Sequence, residues 1–288
     1  MNKLLASYLQ ALYDENSAYW WGVHAILYVQ NRWRSLKTQL REAWDSAFTW
    51  RMSMPVVSRI PIRLEVVQAL TYAAFLFGAI YDEGRLDLWF RFGALLRFVF
   101  FGLLRPKELF GMCVNHVMVP KKGAHAFLTC AVASVLEPKN KSAGGRVQAR
   151  IIRDRHAVAW ISWLVADAAG SELLWPYGAA GFGRALQKTL RFIGLSEAGL
   201  TPSSFRAGGA TALLEEGWSI AHIKFAGGWT TEKTLASYLQ EAECAQVLLR
   251  LSTHQTEWLD RFLRAFSFLD SPPGVAFRVC RAPWIRSR

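Results

Sequence analysis

Cysteine is scarce and never clustered in this chain. Cys113, Cys130, Cys244 and Cys280 lie far apart with no C-x-x-C pair. That spacing excludes a disulfide framework and points to free thiols in a reducing compartment. The histidines (His24, His116, His125, His156, His222 and His254) form no ligand-spaced pair, so no metal site is expected. A signal peptide is missing from the expectations too, because the apolar run after Lys3 stops at Gln10 and Asp14. Unbroken apolar runs are short. The stretch from Val66 to Tyr81 contains Gln68 and Thr71, and the next is interrupted by Arg91 and Arg97. A membrane span needs ~20 apolar residues and tolerates arginine poorly at its centre. Residues 64 to 104 therefore predict buried core helices, with a membrane-associated protein as the competing reading. The glycine-rich loop 170–183 lacks the lysine and Ser/Thr of a P-loop. Acidic residues are the last shortage. Asp+Glu number 22 against 34 Lys+Arg, a net charge of +12, which suits a polyanion such as nucleic acid or an acidic membrane face.

What is present describes a folded protein: 52% of its 288 residues are hydrophobic and 13 are tryptophan. Residues 1–55 show helical periodicity, continuing through 36–50. Trp33, Arg34, Lys37, Arg41, Trp44, Trp50 and Arg51 interleave cations with aromatics there. Such a face is either solvated charge over a Trp-rich core or a surface that lies on DNA phosphates. Pro55, Pro61 and loss of periodicity between Met54 and Ile62 mark a linker, bounded at 56–63. Residues 114–154 read as three β-like pieces with turns at 121–123 and 142–145. Helices are predicted over 156–168 and 182–195. An apolar stripe at Val247, Leu251, Trp258, Phe262 and Phe266 predicts another, serving the core or a neighbouring protomer. Residues 271–288 read as a basic tail.

The chemistry concentrates between Thr201 and Tyr238. Thr201 and Pro202 signal a helix start. Ser203 and Arg206, three apart, share a face of its first turn, where free N–H groups and the helix dipole favour an anion. A short helix is expected over 220–226, with Ile220, Ile223 and Phe225 as its apolar contacts. Gly227 and Gly228 then break the chain before Trp229. The last helix is expected to start at Thr230 or Thr231 and to carry Tyr238 two turns later.

This order resembles the second half of the tyrosine recombinase (phage integrase) active site. That family runs H-x-x-R, a helical pair, G-H or G-W, and a tyrosine nine positions on. Arg206, Trp229 and Tyr238 match at each step. Ser203 stands where the family has its first histidine, and Ala207 where many members have another. Upstream, the run from Gly102 to Leu109 is similar to the family's first arginine box. Arg105 precedes Arg206 by 206 − 105 = 101 residues, close to the family's separation. The chain looks like a divergent member.

The resemblance implies a mainly α fold with a small antiparallel sheet (α+β), an integrase-like catalytic core preceded by a short helical core-binding module. The implied domains are a truncated helical DNA-binding module at 1–55, a linker at 56–63, the catalytic domain at 64–270 and the tail at 271–288. Arg105 and Arg206 would pair with the phosphate oxygens, as only guanidinium can bidentately, with Glu108 buttressing Arg105. Tyr238 would attack phosphorus and form a 3′-phosphotyrosine. Lys139, or alternatively Lys141, would protonate the leaving oxygen from the turn between the second and third strands. Trp229 would pack on the pocket and offer its indole N–H. Ser203 would hydrogen-bond phosphate without holding a proton charge near neutral pH. Arg34, Lys37, Arg41, Arg146 and Arg150 would contact DNA. No metal or cofactor is implied. The expected partner is double-stranded DNA, bound by a homo-oligomer (a tetramer on DNA) joined through the C-terminal helix, with no membrane. The expected location is intracellular with DNA: the nucleus in a eukaryote, the cytoplasm or nucleoid in a bacterium. The expected function is recombination or integration of a mobile element. The alternative, raised by Ser203, is a catalytically impaired DNA-binding remnant.

Overall fold

A computed structural model describes residues 1–54, 60–121, 129–138 and 147–267. The chain forms two compact units, Met1–Ser58 and Arg59–Arg288.

The first unit packs α1 (Asn2–Asp14), α2 (Tyr19–Arg32) and α3 (Arg41–Ser53) around Leu5, Leu9, Ile26, Val29, Leu40, Ala43 and Ala47. Gly22 brings α2 close to its neighbours, since a Cβ there would lie 3.0 Å from the Trp50 ring and 3.1 Å from Leu9. Trp50 also takes Tyr13 and Tyr19 edge-on. The third helix starts at Arg41, later than periodicity predicts. Residues 34–36 form a 3₁₀ turn instead, with the Leu36 and Gln39 N–H groups donating to the Trp33 and Leu36 carbonyls.

The second unit is built on α4 (Leu64–Tyr81) and α5 (Leu86–Phe101), whose buried faces carry Val66, Leu70, Phe92, Leu95 and Phe98. By length and composition α4 is apolar enough to cross a membrane, but half of it is buried inside the protein. The arginines that interrupt the second apolar run are held by carboxylates. Arg97, 3% exposed, donates to Asp154 from Nη2 at 2.8 Å and from Nε at 3.0 Å. Asp154 in turn caps α7 (Arg155–Val165) by accepting the Ala157 N–H at 2.7 Å. Arg91 pairs with Asp87 and Glu172.

After α5 come α6 (Pro106–Phe110) and a three-stranded antiparallel sheet, β1 (Val117–Met118), β2 (Ala131–Val135) and β3 (Gln148–Ile152), in spatial order β1-β2-β3. The register sets Ala133 opposite both Val117 and Arg150. Strand alternation puts Arg150 on the same buried face as Ile152. The helical remainder follows: α8 (Gly178–Phe192), α9 (Ser204–Glu215), α10 (Ile220–Gly227), α11 (Glu232–Ala236), α12 (Glu241–Leu249) and α13 (Thr253–Ser267). The α13 stripe packs on its own unit. Phe262 meets Tyr72 and Phe192, and the Trp258 indole N–H donates to the Phe192 carbonyl at 3.1 Å.

Helix α9 is placed by two close backbone approaches. A Cβ on Gly208 would lie 1.9 Å from the Ile62 carbonyl oxygen, and one on Gly209 2.2 Å from that of Phe100. Only glycine fits at either point, and the closeness seats α9 against the end of α5.

Candidate phosphate-binding site

Four segments far apart in sequence meet at the C-terminal end of α5. The first turns sharply at Leu103, whose φ of 48° is unusual for a non-glycine residue. Arg105 then caps α6, and Pro106 begins it without needing an N–H partner. Glu108 returns to the cap. One carboxylate oxygen accepts the Arg105 backbone N–H at 2.8 Å, and the other pairs with Arg105 Nη1 at 2.6 Å. The side chain of Glu108 is 2% exposed and that of Arg105 18%. The acid is therefore a fixed internal strut, and the arginine leans from it toward solvent.

Arg206 enters from the buried first turns of α9. Its guanidinium donates to the Leu103 carbonyl and, at 2.7 Å, to the Gly227 carbonyl. Nη1 lies 4.0 Å from Glu108 Oε2, so one carboxylate stands between Arg105 and Arg206. The Arg206 Cζ sits 4.0 Å from the Trp229 ring centroid and 5.7 Å from that of Tyr238. The two rings meet edge-on at 5.2 Å. Burial is the larger cause, and the like charges of Arg105 and then Arg150 add to it, in pushing the Arg206 pKa down to about 9.

The fourth segment is β3. Arg150, 2% exposed, donates to Gln148 Oε1 at 2.9 Å and reaches the Ala226 carbonyl at 3.4 Å. Its pKa is lowered, by burial first and then by Arg105 against the opposing pull of Glu108. Sequence places Arg150 among the DNA contacts; in the structure it is buried and does not lie on the surface. Its strand turns it inward, into the same cluster as Arg105 and Arg206. The alternation of Arg150 with Ile152 is the signal that reveals this placement.

Several expected details differ. Helix α9 begins at Ser204, because the Ser204 hydroxyl takes the Thr201 N–H at 3.0 Å and holds Pro202 in a turn before the helix. Ser203 becomes its N-cap residue, half-buried and making no side-chain cap bond. On α10, Ile223 is fully buried, whereas Phe225 is 84% exposed and contributes nothing to the core. Tyr238 is not inside a helix. Thr231 caps α11, which ends at Ala236, and Tyr238 follows on a turn closed by its N–H to the Leu235 carbonyl at 2.7 Å. The Tyr238 carbonyl accepts from Thr211 Oγ1 at 3.2 Å, tying that turn to α9.

Lys139, Lys141 and Arg146 lie outside the described residues. Arg34, Lys37 and Arg41 belong to the first unit, where all three are exposed and Arg41 faces Asp45 at 3.7 Å. Among the described residues no group of three or more His, Cys, Asp or Glu could hold a metal ion.

No protein-family model and no curated protein matches this chain. Solved structures do. The XerH site-specific recombinase bound to difH substrate in a pre-cleavage complex superposes with a TM-score of 0.54, at 13% identity over 87% of this chain and 70% of that one. Its post-cleavage complex on palindromic difH gives 0.51, at 14% identity over 88% and 72%. The Tn1549 transposon integrase in complex with a circular intermediate DNA gives 0.53, at 12% identity over 86% and 84%. The chain has the α+β fold of these recombinase and integrase structures.

Proposed function

We propose that this protein is a site-specific DNA recombinase or integrase of a mobile element, which breaks and rejoins strands through a tyrosine. One observation carries the reading: Glu108 stands between Arg105 and Arg206 while the Tyr238 ring lies against the second guanidinium. A phosphodiester carries one negative charge, and attack on phosphorus adds another to the non-bridging oxygens. Two fixed guanidinium groups stabilise that increase more than they stabilise the ground state.

In the proposed step the Tyr238 oxygen bonds to phosphorus as the bond to the 5′ oxygen breaks. The phenol proton passes to solvent, the departing 5′ oxygen gains one from the proton donor, and the enzyme is left joined to the 3′ phosphate. Lys139, or else Lys141, is the proposed proton donor. The phosphoester is exchanged rather than hydrolysed, so reversal reseals the strand without an external energy source. Arg206 is 1% exposed beneath Trp229 and Tyr238. The Tyr238 turn must therefore move off the guanidinium for phosphate to reach it. A five-residue α11 on one side and a turn on the other make this segment a suitable hinge.

The first unit is proposed to lie on duplex DNA through Arg34, Lys37 and Arg41, with Arg146 adding a phosphate contact on the second. Assembly as a homo-oligomer on paired sites, and work wherever the DNA is held, belong to the same proposal. Ser203 favours a second reading, a DNA-binding remnant that cuts slowly or not at all, because a hydroxyl carries no positive charge to the phosphate. A nicked suicide substrate separates the two. A covalent protein–DNA adduct that disappears in Tyr238→Phe supports the recombinase. Duplex binding with no adduct leaves the remnant.

A further inference from the structure

The pair of arginines does not account for all the positive charge at this site. Three guanidinium groups, Arg105, Arg150 and Arg206, stand around one carboxylate, Glu108. Three charges against one leave a surplus of two, in a place where Arg150 and Arg206 are almost wholly buried. Among the described residues Arg150 has no carboxylate partner within ion-pair distance. Burying an unpaired cation is costly, so a stable fold keeps such a group only where an anion or a fixed dipole offsets it.

The dipole is visible. Helix α10 ends at Gly227, and its last carbonyls are taken by the two arginines in turn, Ala226 by Arg150 and Gly227 by Arg206. Gly228 follows in the left-handed conformation at φ 64°. A Cβ on it would lie 2.7 Å from both Nη atoms of Arg150, so the guanidinium fills the space a side chain would need. The Trp229 ring folds back over Gly227, where a Cβ would come within 1.6 Å of it. The same ring covers Arg206. Arg150 thus braces from behind the turn that fixes Trp229 on Arg206.

The anion is implied by donors. Arg150 Nε, Arg206 Nε and Trp229 Nε1 are all buried without an acceptor among the described residues. A buried N–H left unsatisfied is costly and uncommon, and three in one cluster are donors that suit an acceptor-rich group.

We propose that Arg150 is a positioning residue of the phosphate site: from β3 it clamps the Ala226–Trp229 turn against Arg206 and adds a third positive charge to the field at phosphorus. The surplus of two charges matches the dianionic character that a phosphodiester acquires during attack. This inference rests on the reading of the site as one for phosphoryl transfer. It also supplies, from a strand, positive charge that Ser203 does not supply.

The test compares full-length wild type, Arg150→Gln and Arg150→Lys. First, thermal unfolding is followed with and without inorganic phosphate at constant ionic strength. Wild type should be stabilised by phosphate beyond the effect of chloride, Arg150→Gln should lose most of that gain, and Arg150→Lys should keep part of it. Second, adduct formation is timed at saturating nicked duplex. Arg150→Gln should slow it by about tenfold or more, with Arg150→Lys intermediate and duplex affinity unchanged. The inference is overturned if Arg150→Gln folds and matches wild type in both measurements, or if its slower cleavage is matched by an equal loss of duplex affinity. Should Arg150→Gln fail to fold, an Arg150→Lys variant with wild-type phosphate response and cleavage rate overturns it equally. Wild type forming no adduct would instead sink the strand-transfer reading, and the phosphate arm would still decide for or against Arg150.

Discussion

Arg206 is the residue on which the site is most sensitive to change. Its burial under two aromatic rings depresses its pKa to about 9, through desolvation first and the neighbouring charges of Arg105 and Arg150 second. A cation whose folded pKa lies below its unfolded value destabilises the fold while it is protonated. That cost is present in full below pH 9 and is relieved as pH rises toward the unfolded value. Phosphate needs the charged form, so phosphate-dependent stabilisation and adduct formation should both decline as pH rises through about 9. A phosphate effect that stays flat from pH 8 to 10 would contradict this. Truncating Arg105 to Ala should lower the cleavage rate by roughly a hundredfold or more and also lower the melting temperature, because buried Glu108 loses its nearest guanidinium. Glu108→Gln should be worse for stability than Arg105→Ala. It removes the one anion among three cations, and chemical denaturation of the two variants would show the order.

At the scale of elements, the site depends on backbones that approach without side chains between them. Gly208→Ala should destabilise the protein by about 3 kcal/mol or more, since its Cβ would meet the Ile62 carbonyl at 1.9 Å and no flexible group can yield. Urea unfolding measures this directly. Gly228→Ala combines positive φ with displacement of the Arg150 guanidinium, so it should lower cleavage as well as stability. Asp154→Asn offers a contrast. It breaks a buried ion pair while leaving a side-chain oxygen to cap the helix, and should cost about 3 kcal/mol without a specific effect on phosphate response. Elements were also where the sequence was partly legible. The helices of the apolar region and three strands were readable from periodicity. The start of α9 was not, because the Ser204 hydroxyl accepts the Thr201 N–H and folds Thr201 and Pro202 into a turn ahead of the helix. The end of α11 was not either, because a helix of five residues has too little pattern to bound.

Across the whole molecule, an excess of 12 positive charges predicts duplex binding with steep salt dependence. If Arg34, Lys37 and Arg41 each contact a phosphate, replacing the three by glutamine should reduce the slope of log K against log salt by roughly 2 to 3. Cleavage at saturating DNA should change little. A slope that does not move would remove the first unit from the DNA-binding proposal. The two parts of the measurement report on different units of the chain, Met1–Ser58 for the slope and Arg59–Arg288 for the chemistry.

The linear order of residues determined helices, strands and glycine breaks, which are local properties, and through the resemblance carried by the spacing of Arg105, Arg206, Trp229 and Tyr238 it implied the class of fold and the candidate site. Only the folded chain decided that Arg150 faces inward beside Ile152, that Phe225 faces out, and that Tyr238 stands on a turn over Arg206. Those outcomes depend on which backbone passes within contact distance of which other. Carbonyls from Leu103, Ala226 and Gly227 hold the guanidinium groups in place, and a main-chain carbonyl looks the same at every position of a sequence.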